Sequence, residues 1–303
     1  MPADPSVPPS CRPIDHHRVA AEAEALLASC TLCPRACQVN RLAGEVGVCG
    51  IGRLAVVSGA FLHFGEEACL VGEGGSGTIF FNGCGLGCVF CQNRDISHGM
   101  AGREVSDEDL AELMLALQHQ GAENVNLVTP SHVIPQILAG LNIAASRGFC
   151  LPVVFNTSGY DQVPTLRLLE GIVDVYLPDF KFWSAEAANR YAGAPDYPVV
   201  ARAAVTEMLR QVGPLVVASD QRAQRGLLVR HLVMPGLLDE SRAIVNFLAG
   251  LTPRPPINVM GQYRPMGDAA KYPEIAARVT NREVEAVRDM ARQAGLLLVT
   301  DGW

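Results

Sequence analysis

Short apolar runs alternate with amphipathic segments along the chain from Gly77 onward. The runs are rich in β-branched and aromatic residues, and residues that favour helix caps bound the segments between them. Six runs have the length of strands: 77–82, 124–129, 151–156, 173–178, 227–234 and 257–261. This alternation predicts an α/β fold in which repeated βα units surround a parallel sheet.

Two helices have clear boundaries in this pattern. Ser106 is a suitable N-cap, and apolar residues recur after it at helical spacing. They are Leu110, Leu113, Met114 and Leu117. Thr280 and Glu283 match a capping box, and Gly295 is a suitable C-terminal stop. We expect the residues from Leu296 to Thr300 to add a last strand.

The chain has 303 residues, enough for one large domain with a small appendage. We predict a disordered tail and the start of the first helix at 1–25, and a cysteine-rich extension at 26–70. The main α/β domain is predicted at 71–265, followed by a C-terminal helix and strand at 266–303.

Charge and hydropathy limit the partners. The net charge is −7 and the pI is about 5.5, so no strongly basic surface is expected for binding nucleic acid. No apolar run approaches the roughly 20 residues needed to cross a bilayer, so we expect no membrane partner. The start of the chain is rich in proline and serine and does not resemble a signal peptide. We therefore expect a cytoplasmic protein.

Polar residues follow the predicted strands where each strand ends. The first strand leads to Cys84, the second to Thr129, the third to Asn156, the fourth to Asp179, and the fifth carries Arg230. In parallel α/β barrels, the loops at the C-terminal ends of the strands build the active site. Polar residues at strand ends can also simply face solvent, but solvation does not explain a group of cysteines.

That group is Cys84, Cys88 and Cys91, with the spacing C-x3-C-x2-C on a glycine-rich loop directly after a strand. Three thiolates at this spacing can each bind one iron of a [4Fe-4S] cluster and leave the fourth iron open. An open iron can chelate the amino and carboxylate groups of S-adenosylmethionine, and Phe90 is expected to pack beside that cofactor. The alternative is a structural zinc site, for which His98 is the nearest fourth ligand.

With these residues the chain resembles radical S-adenosylmethionine proteins related to pyruvate formate-lyase activating enzyme, and within them the branch labelled PflX. The similar segments extend from residue 30 to about residue 272. They include Cys-Thr-Leu-Cys-Pro-Arg-Ala-Cys at 30–37, Ser-Gly-Thr-Ile-Phe-Phe at 76–81, Cys-Gln-Asn at 91–93, Asn-Leu-Val-Thr-Pro-Ser-His at 126–132, Pro-Asp-Phe-Lys at 178–181, Gly-Ala-Pro-Asp-Tyr-Pro at 193–198 and Leu-Val-Arg-His-Leu-Val at 228–233.

The resemblance implies a partial (β/α)6 barrel, similar to a TIM barrel, with a small cysteine-rich N-terminal extension. It also implies residues that bind the cofactor and a monovalent cation beside it. These are Asn156, Thr157, Ser158 and Gly159 after the third strand, Asp179 and Lys181 after the fourth, and Arg230 on the fifth. Asn156 replaces an aspartate of the family pattern, which puts the cation site in doubt. The family's Gly-Gly-Glu-Pro is replaced at 127–130, so Thr129 is assigned through its backbone carbonyl.

A second group of cysteines precedes the first. Cys30, Cys33, Cys37 and Cys49 have the spacing C-x2-C-x3-C-x11-C, which provides enough ligands to complete a coordination sphere. Either a structural zinc ion or an additional iron-sulfur cluster fits this spacing. Four thiols without a metal are the alternative.

The sequence thus favours a radical S-adenosylmethionine enzyme that cleaves its cofactor reductively to a 5'-deoxyadenosyl radical and abstracts hydrogen from a substrate. The resemblance suggests an activase that takes hydrogen from a glycyl residue of a partner protein. The alternatives are an enzyme acting on a small molecule or peptide, and an electron carrier or sensor without catalysis. An enzyme of this kind needs a one-electron donor such as flavodoxin or ferredoxin.

Overall fold

The computed structural model describes residues 16–99 and 101–299. The strands are β1 (Ala55–His63), β2 (Ser76–Phe81), β3 (Arg103–Val105), β4 (Asn124–Val128), β5 (Val153–Thr157), β6 (Val175–Pro178), β7 (Val216–Val217), β8 (Ala223–Leu227), β9 (Val229–Leu232), β10 (Ile257–Met260) and β11 (Leu298–Val299). The α-helices are α1 (His16–Ala25), α2 (Ala68–Val71), α3 (Arg94–Ser97), α4 (Asp107–His119), α5 (Ile134–Ser146), α6 (Val163–Arg167), α7 (Ala185–Ala192), α8 (Tyr197–Val212), α9 (Leu238–Ala249) and α10 (Asn281–Gln293). Residues 1–15 of the predicted disordered tail lie outside the described part of the chain.

A curved, mostly parallel sheet forms the centre of the fold. Strands β2, β4, β5 and β6 pair in parallel in that order, and β6 then pairs with β8. A parallel bridge between Asp179 and Arg230 continues the sheet to β9, which pairs with β10, and β10 pairs with β11. The predicted α/β fold, a partial barrel with six βα units, is confirmed.

The fifth predicted strand, 227–234, differs in detail. Most of the run forms β9, which pairs with β10, whereas Leu227 is the last residue of a separate strand, β8, which begins at Ala223 and pairs with β6 and β7. Gly226 has a φ of +127°, a backbone conformation that glycine adopts without strain, and its position near the end of β8 lets the chain change partners.

The hairpin that precedes the parallel strands was not predicted. Strand β1 runs antiparallel to β2 and is flanked by β3 on its other side. Ser58 and Gly59 interrupt the apolar pattern of this strand, and the register shifts between Val57 and Gly59. An irregular strand of this kind lacks the strict alternation by which strands are recognised in a sequence.

The N-terminal end of the barrel is closed by α2 and its neighbours. Cys69 and Leu70 pack with apolar side chains of β5, β6 and β11 and with Leu228. Asn124 fixes this floor, because its side-chain amide donates to the carbonyl of Leu70 at 2.6 Å. The opposite end, where the parallel strands terminate, therefore holds the open cavity of the barrel.

The predicted helix boundaries are confirmed at both capping boxes. Ser106 accepts from the backbone of Asp109 at the start of α4, and Thr280 accepts from that of Glu283 at the start of α10. Helix α5 packs on both α4 and α1. Across the two described ranges, no helix combines the length and the apolar character that crossing a bilayer requires.

Candidate active site at the carboxyl ends of the strands

One cavity of about 250 Å³ opens at the carboxyl ends of the parallel strands. It brings together the three cysteines of the glycine-rich loop and all eight side chains predicted to bind the cofactor. These are Cys84, Cys88, Cys91, Phe90, Thr129, Asn156, Thr157, Ser158, Asp179, Lys181 and Arg230. Residues from five strand ends thus meet although the sequence separates them by up to about 150 positions.

The cysteine loop is held in place by backbone contacts on two sides. The amide of Val89 donates to the carbonyl of Tyr191 at 2.8 Å, and the carbonyl of Val89 accepts from Asp268 at 2.7 Å. Gly83 has a φ of +79°, and a Cβ atom there would lie 2.4 Å from the carbonyl oxygen of Cys49. Only glycine fits at this close approach, so the loop enters its turn at a fixed position.

The thiols of this loop suit a metal cluster. The amide of Leu86 donates to Sγ of Cys84 at 3.3 Å, a bond that stabilises a thiolate. Burial raises the pKa of Cys84 to about 11 and that of Cys88 to about 12, while the nearby Lys181 acts in the opposite direction on both. Without a metal these thiols are protonated, so loading a metal displaces protons.

A buried network of charges forms the polar wall of the cavity. Asp179 accepts from Nζ of Lys181 and from Nε of Arg230, each at 2.7 Å. Burial alone would raise the pKa of Asp179, but Arg230 and Lys181 hold it below the ordinary value. Arg230 also donates to Oδ1 of Asn156 at 2.7 Å. These side chains therefore fix one another in a charged and rigid arrangement.

Two glutamates that the sequence did not indicate take part in this network. Glu66 accepts from Arg230 at 3.3 Å, and Glu67 lies 3.8 Å from the same guanidinium. Burial raises the pKa of Glu66 to about 7 although Arg230 acts against the shift. The only sequence signal for this pair is two adjacent acidic residues after an apolar run. Lys181 and Arg230 bind the two carboxylate oxygens of Asp179. The site for a monovalent cation beside the cofactor stays a prediction.

Tyr197, which the sequence did not indicate as a site residue, joins the ends of β5 and β6. The hydroxyl of Tyr197 accepts from the amide of Lys181 at 2.9 Å and lies 2.8 Å from the carbonyl oxygen of Asp179 and 2.9 Å from that of Ser158. Tyr197 is fully buried. Tyr197 stands at the start of α8, about 20 residues after the end of β6 and about 40 after the end of β5, so its role requires the folded chain.

The Thr157 hydroxyl is positioned by a buried carboxylate. It donates to Asp161 at 2.7 Å, and Ser131 donates to the other oxygen of Asp161 at 2.6 Å. Burial raises the pKa of Asp161 to about 6, although both hydroxyls lower it. Thr129, in the same cavity, has a φ of +60°, which is uncommon for a β-branched residue and is found at functional sites.

The second group of cysteines lies directly against the cysteine loop. Arg35 donates to the carbonyl of Gly85 and to that of Gly193, both at 2.7 Å. A Cβ atom on Gly85 would lie 3.2 Å from Sγ of Cys33. A second cavity, of about 400 Å³, is lined by Cys49 and Cys84 together. The two groups of cysteines are therefore neighbours in space.

His98, the nearest fourth ligand for a zinc site, is bound to a neighbouring side chain. Its Nδ1 atom lies 2.7 Å from Oγ of Ser97. Over the described ranges, no three His, Cys, Asp or Glu side chains converge on one point as ligands of a single ion do. A [4Fe-4S] cluster with one open iron needs only three cysteine ligands, so Cys84, Cys88 and Cys91 would suffice for it without His98.

Comparison with known proteins gives a consistent match over most of the chain. The family model described as Radical SAM superfamily matches residues 78–248. The uncharacterized protein MJ0674 of Methanocaldococcus jannaschii is 34% identical over 286 residues, which is 92% of this chain and 79% of that protein.

Two solved structures are similar to part of the chain at low sequence identity. A radical SAM methyltransferase from Sphaerobacter thermophilus has a TM-score of 0.47 at 15% identity, covering 74% of this chain and 66% of that one. SuiB of Streptococcus suis, bound to S-adenosylmethionine, has a TM-score of 0.49 at 13% identity over 72% of this chain. The chain spans about half of the length of SuiB (48%).

Proposed function

Since this chain belongs to the radical SAM superfamily, we propose that it cleaves S-adenosylmethionine reductively and abstracts a hydrogen atom from a substrate bound in the barrel mouth. One observation carries the proposal. Three cysteines on a fixed loop and the polar ends of the parallel strands surround a single cavity. This is the side of a parallel α/β barrel on which active sites form.

The thiols of Cys84, Cys88 and Cys91 would hold a [4Fe-4S] cluster and leave one iron for the cofactor. When bound, the cluster supplies the electron that splits the sulfonium of S-adenosylmethionine into methionine and a 5'-deoxyadenosyl radical. The loop fits this role because glycines before and between the cysteines leave room for the cluster. Lys181 favours the loss of protons from the thiols of Cys84 and Cys88, which metal loading requires.

The wall of the cavity divides into a charged part and an apolar part, which suits a zwitterionic nucleoside. Asp179, Lys181 and Arg230 form the charged part, and Asn156, Thr157 and Ser158 continue it with neutral polar groups. Phe90 packs against Tyr263 at 5.8 Å between ring centroids and belongs to the apolar part. We assign the charged groups to the methionine end of the cofactor and the apolar groups to its adenine end.

We propose a polypeptide as the substrate, with a glycyl residue of a partner protein as the target that the resemblance suggests. Gln92, Asn93 and Gln262 line the mouth with exposed amides, groups that hydrogen bond to a peptide backbone. Among the lining residues in the described ranges, charges are confined to the deeper Asp179, Lys181 and Arg230. A neutral amide rim of this kind suits a peptide better than a charged metabolite.

The test begins with anaerobic purification and reconstitution with iron and sulfide. After addition of dithionite and S-adenosylmethionine, we expect 5'-deoxyadenosine and methionine, and we expect neither from Cys88→Ala. A fully loaded cluster that yields no 5'-deoxyadenosine would favour the electron-carrier alternative. A glycyl radical signal on a co-purifying protein supports the activase. Deuterium transfer from a small molecule into 5'-deoxyadenosine contradicts it.

A further inference from the structure

The four N-terminal cysteines lie on two tight backbone turns. In the first turn, the amide of Gln38 donates to the carbonyl of Cys30 at 3.0 Å, and Gln38 has a positive φ of 58°. In the second, the amide of Val48 donates to Sγ of Cys37 at 3.4 Å. A Cβ atom on Gly47 would lie 2.8 Å from the same sulfur. The backbone is therefore wrapped closely around these thiols.

The thiols are also close to one another. Cys49 interacts electrostatically with Cys30 and Cys37, and Cys33 interacts with all three. Bound to a metal as thiolates, the four cysteines would form an anionic centre.

A buried arginine beside these cysteines lacks an anionic partner. Arg41 has no exposed surface. Its Nε donates to the carbonyl of Gly52 at 2.9 Å, and one terminal nitrogen donates to that of His132 at 2.7 Å. The same nitrogen lies 3.9 Å from Sγ of Cys30. The other terminal nitrogen has no hydrogen-bond partner in the described part of the chain, and no carboxylate there forms an ion pair with Arg41.

A buried cation without a counter-charge is strongly unfavourable, so an anion is expected next to Arg41. Four thiolates around a divalent metal, or around a [4Fe-4S] cluster in its oxidised state, carry a net charge of about −2. Either centre would provide that anion. The buried arginine is thus an observation, independent of the cysteine spacing, that points to a metal at this site.

The position of this group favours an iron-sulfur cluster over zinc. Cys49 and Cys84 line one cavity, and the carbonyl of Cys49 packs on Gly83. A redox centre at this place is adjacent to the cluster that needs an electron.

We propose that Cys30, Cys33, Cys37 and Cys49 ligate a second [4Fe-4S] cluster, with Arg41 as its buried counter-cation, and that this cluster passes electrons to the one held by Cys84, Cys88 and Cys91. The electron-transfer part rests on the function proposed above. A protein donor with a reduced flavin or iron-sulfur centre gives one electron to the N-terminal cluster. That cluster returns to its oxidised state as the neighbouring one is reduced by the same electron.

The first experiment isolates the N-terminal site. The full chain with Cys84→Ala, Cys88→Ala and Cys91→Ala is purified anaerobically, reconstituted, and analysed for iron, sulfide and zinc. We expect about four irons per chain, against about eight in the wild type. The EPR signal of the reduced variant should be insensitive to S-adenosylmethionine. A variant that contains zinc instead of iron, or neither metal, overturns the proposal.

This design separates the two proposals. If the wild type fails to form 5'-deoxyadenosine while the triple variant keeps its four irons, the proposed function fails and the second cluster stands. If the wild type is active but the triple variant holds no iron, the second cluster fails alone. Circular dichroism confirms that the variant is folded before its metal content is interpreted.

The second experiment tests the counter-cation in the triple-variant background. Arg41→Gln removes the charge, and Arg53→Gln is the matched control because Arg53 pairs with Glu24 at 2.7 Å. We expect Arg41→Gln to lose iron to a chelator about tenfold faster than its parent, the effect typical of a residue that supports metal ligands. Arg53→Gln should match the parent. Equal rates for both variants contradict the role of Arg41.

The third experiment tests electron transfer in the otherwise intact chain. Reduced flavodoxin is mixed with Cys37→Ala, and reduction of the remaining cluster is followed by absorbance and freeze-quench EPR. We expect the fast phase of reduction seen in the wild type to be lost. Cys69→Ala, which changes a cysteine in the barrel floor, should retain it. A fast phase that persists in Cys37→Ala contradicts the relay.

Discussion

At the scale of single residues, the cavity wall depends on Asp179. Its carboxylate lies between two cations, and the side chains of Asp179, Lys181 and Arg230 are all less than one fifth exposed. Removing a charge from such a buried group leaves its partners without compensation. The same residue closes the bridge that joins β6 to β9, so the charge network and the sheet support each other.

Asp179→Asn should therefore lower the free energy of unfolding by about 3 kcal/mol, the cost typical of breaking a buried ion pair. Asp239→Asn is the control, because Asp239 pairs with Arg242 on an exposed helix surface. Asp239→Asn should leave the free energy of unfolding almost unchanged. Urea denaturation of the metal-free chains measures both. Similar losses for the two variants would show that the Asp179 network contributes little to stability.

A pH effect should follow from Asp161. Its pKa in the folded chain is about 6, above the ordinary value of 3.8, with burial as the main cause. The folded state then binds the proton more tightly than the unfolded state, so its contribution to stability is complete below pH 4 and is lost as pH rises to 6.

Urea unfolding of the wild type and Asp161→Asn should therefore be compared between pH 4 and pH 7. The wild type should lose about 3 kcal/mol relative to the variant over this range, because each pKa unit corresponds to about 1.4 kcal/mol. A difference that is constant with pH, or that changes with the opposite sign, would contradict the assignment. The variant itself is the control, since it cannot titrate at this position.

At the scale of elements, the site depends on the close contact between the chain segments that follow β5 and β6. Gly159 has a φ of +75°, and a Cβ atom there would lie 2.7 Å from the carbonyl oxygen of Asp179. Gly193 also has a positive φ, of +57°, but no atom lies within 4 Å of its Cβ position. The two glycines share the backbone conformation and differ in the space around them.

Gly193→Ala should lower the free energy of unfolding by about 1 kcal/mol, the cost of a left-handed alanine. Gly159→Ala should cost more, because the carbonyl of Asp179 must also move. Gly159→Ala should also weaken the binding of S-adenosylmethionine to the reconstituted protein, whereas Gly193→Ala should leave this binding unchanged. Thermal unfolding and equilibrium dialysis provide the two measurements. Equal costs and unchanged binding for both variants would contradict this account of the β5–β6 junction.

The elements that the sequence predicted are those with regular local patterns. The six parallel strands are mostly apolar runs, as expected for strands buried on both faces, although Asn126 and Arg230 interrupt two of them. Ser106 and Thr280, the N-caps of α4 and α10, mark where these helices begin. Strand β1 was missed because Gly59 interrupts its alternation. Local patterning is thus sufficient where an element is regular and fails where tertiary pairing alone determines it.

The candidate site follows the same division. Cysteine spacing and polar strand ends identified the three cysteines and the polar strand-end residues of the cavity, because parallel strands end on the same side of a sheet, and the family resemblance suggested their roles. Glu66, Tyr197 and Arg41 were missed, since their partners are far along the chain. Arg41 contacts His132, 91 positions away, and no local pattern records such a contact.

At the scale of the whole molecule, Arg35, Arg41 and Gln162 provide polar contacts between the N-terminal segment and the barrel. Arg35 bridges the segment to the carbonyls of Gly85 and Gly193, and its guanidinium lies 5.6 Å from the ring of Tyr160. Gln162 adds a hydrogen bond to the carbonyl of Cys33 at 3.1 Å. Arg35 is therefore the main polar link between the two groups of cysteines.

Arg35→Met should loosen this attachment while leaving the barrel intact. Hydrogen–deuterium exchange should increase in residues 30–49 and in the cysteine loop at 83–91, and stay unchanged in α4 and α5. Arg242→Met, which removes an exposed ion pair on α9, is the control. If exchange rises equally in both variants, or only outside these two segments, Arg35 does not hold them together.

The closed floor beneath the barrel has a consequence for the order of events. Cys69 and Leu70 fill the far end, so S-adenosylmethionine and the proposed polypeptide substrate would both enter at the carboxyl ends of the strands. Under the proposed function, the nucleoside would bind before the polypeptide covers the cavity. The cleavage products would leave only after the polypeptide dissociates, so each binding event of that substrate would allow one turnover.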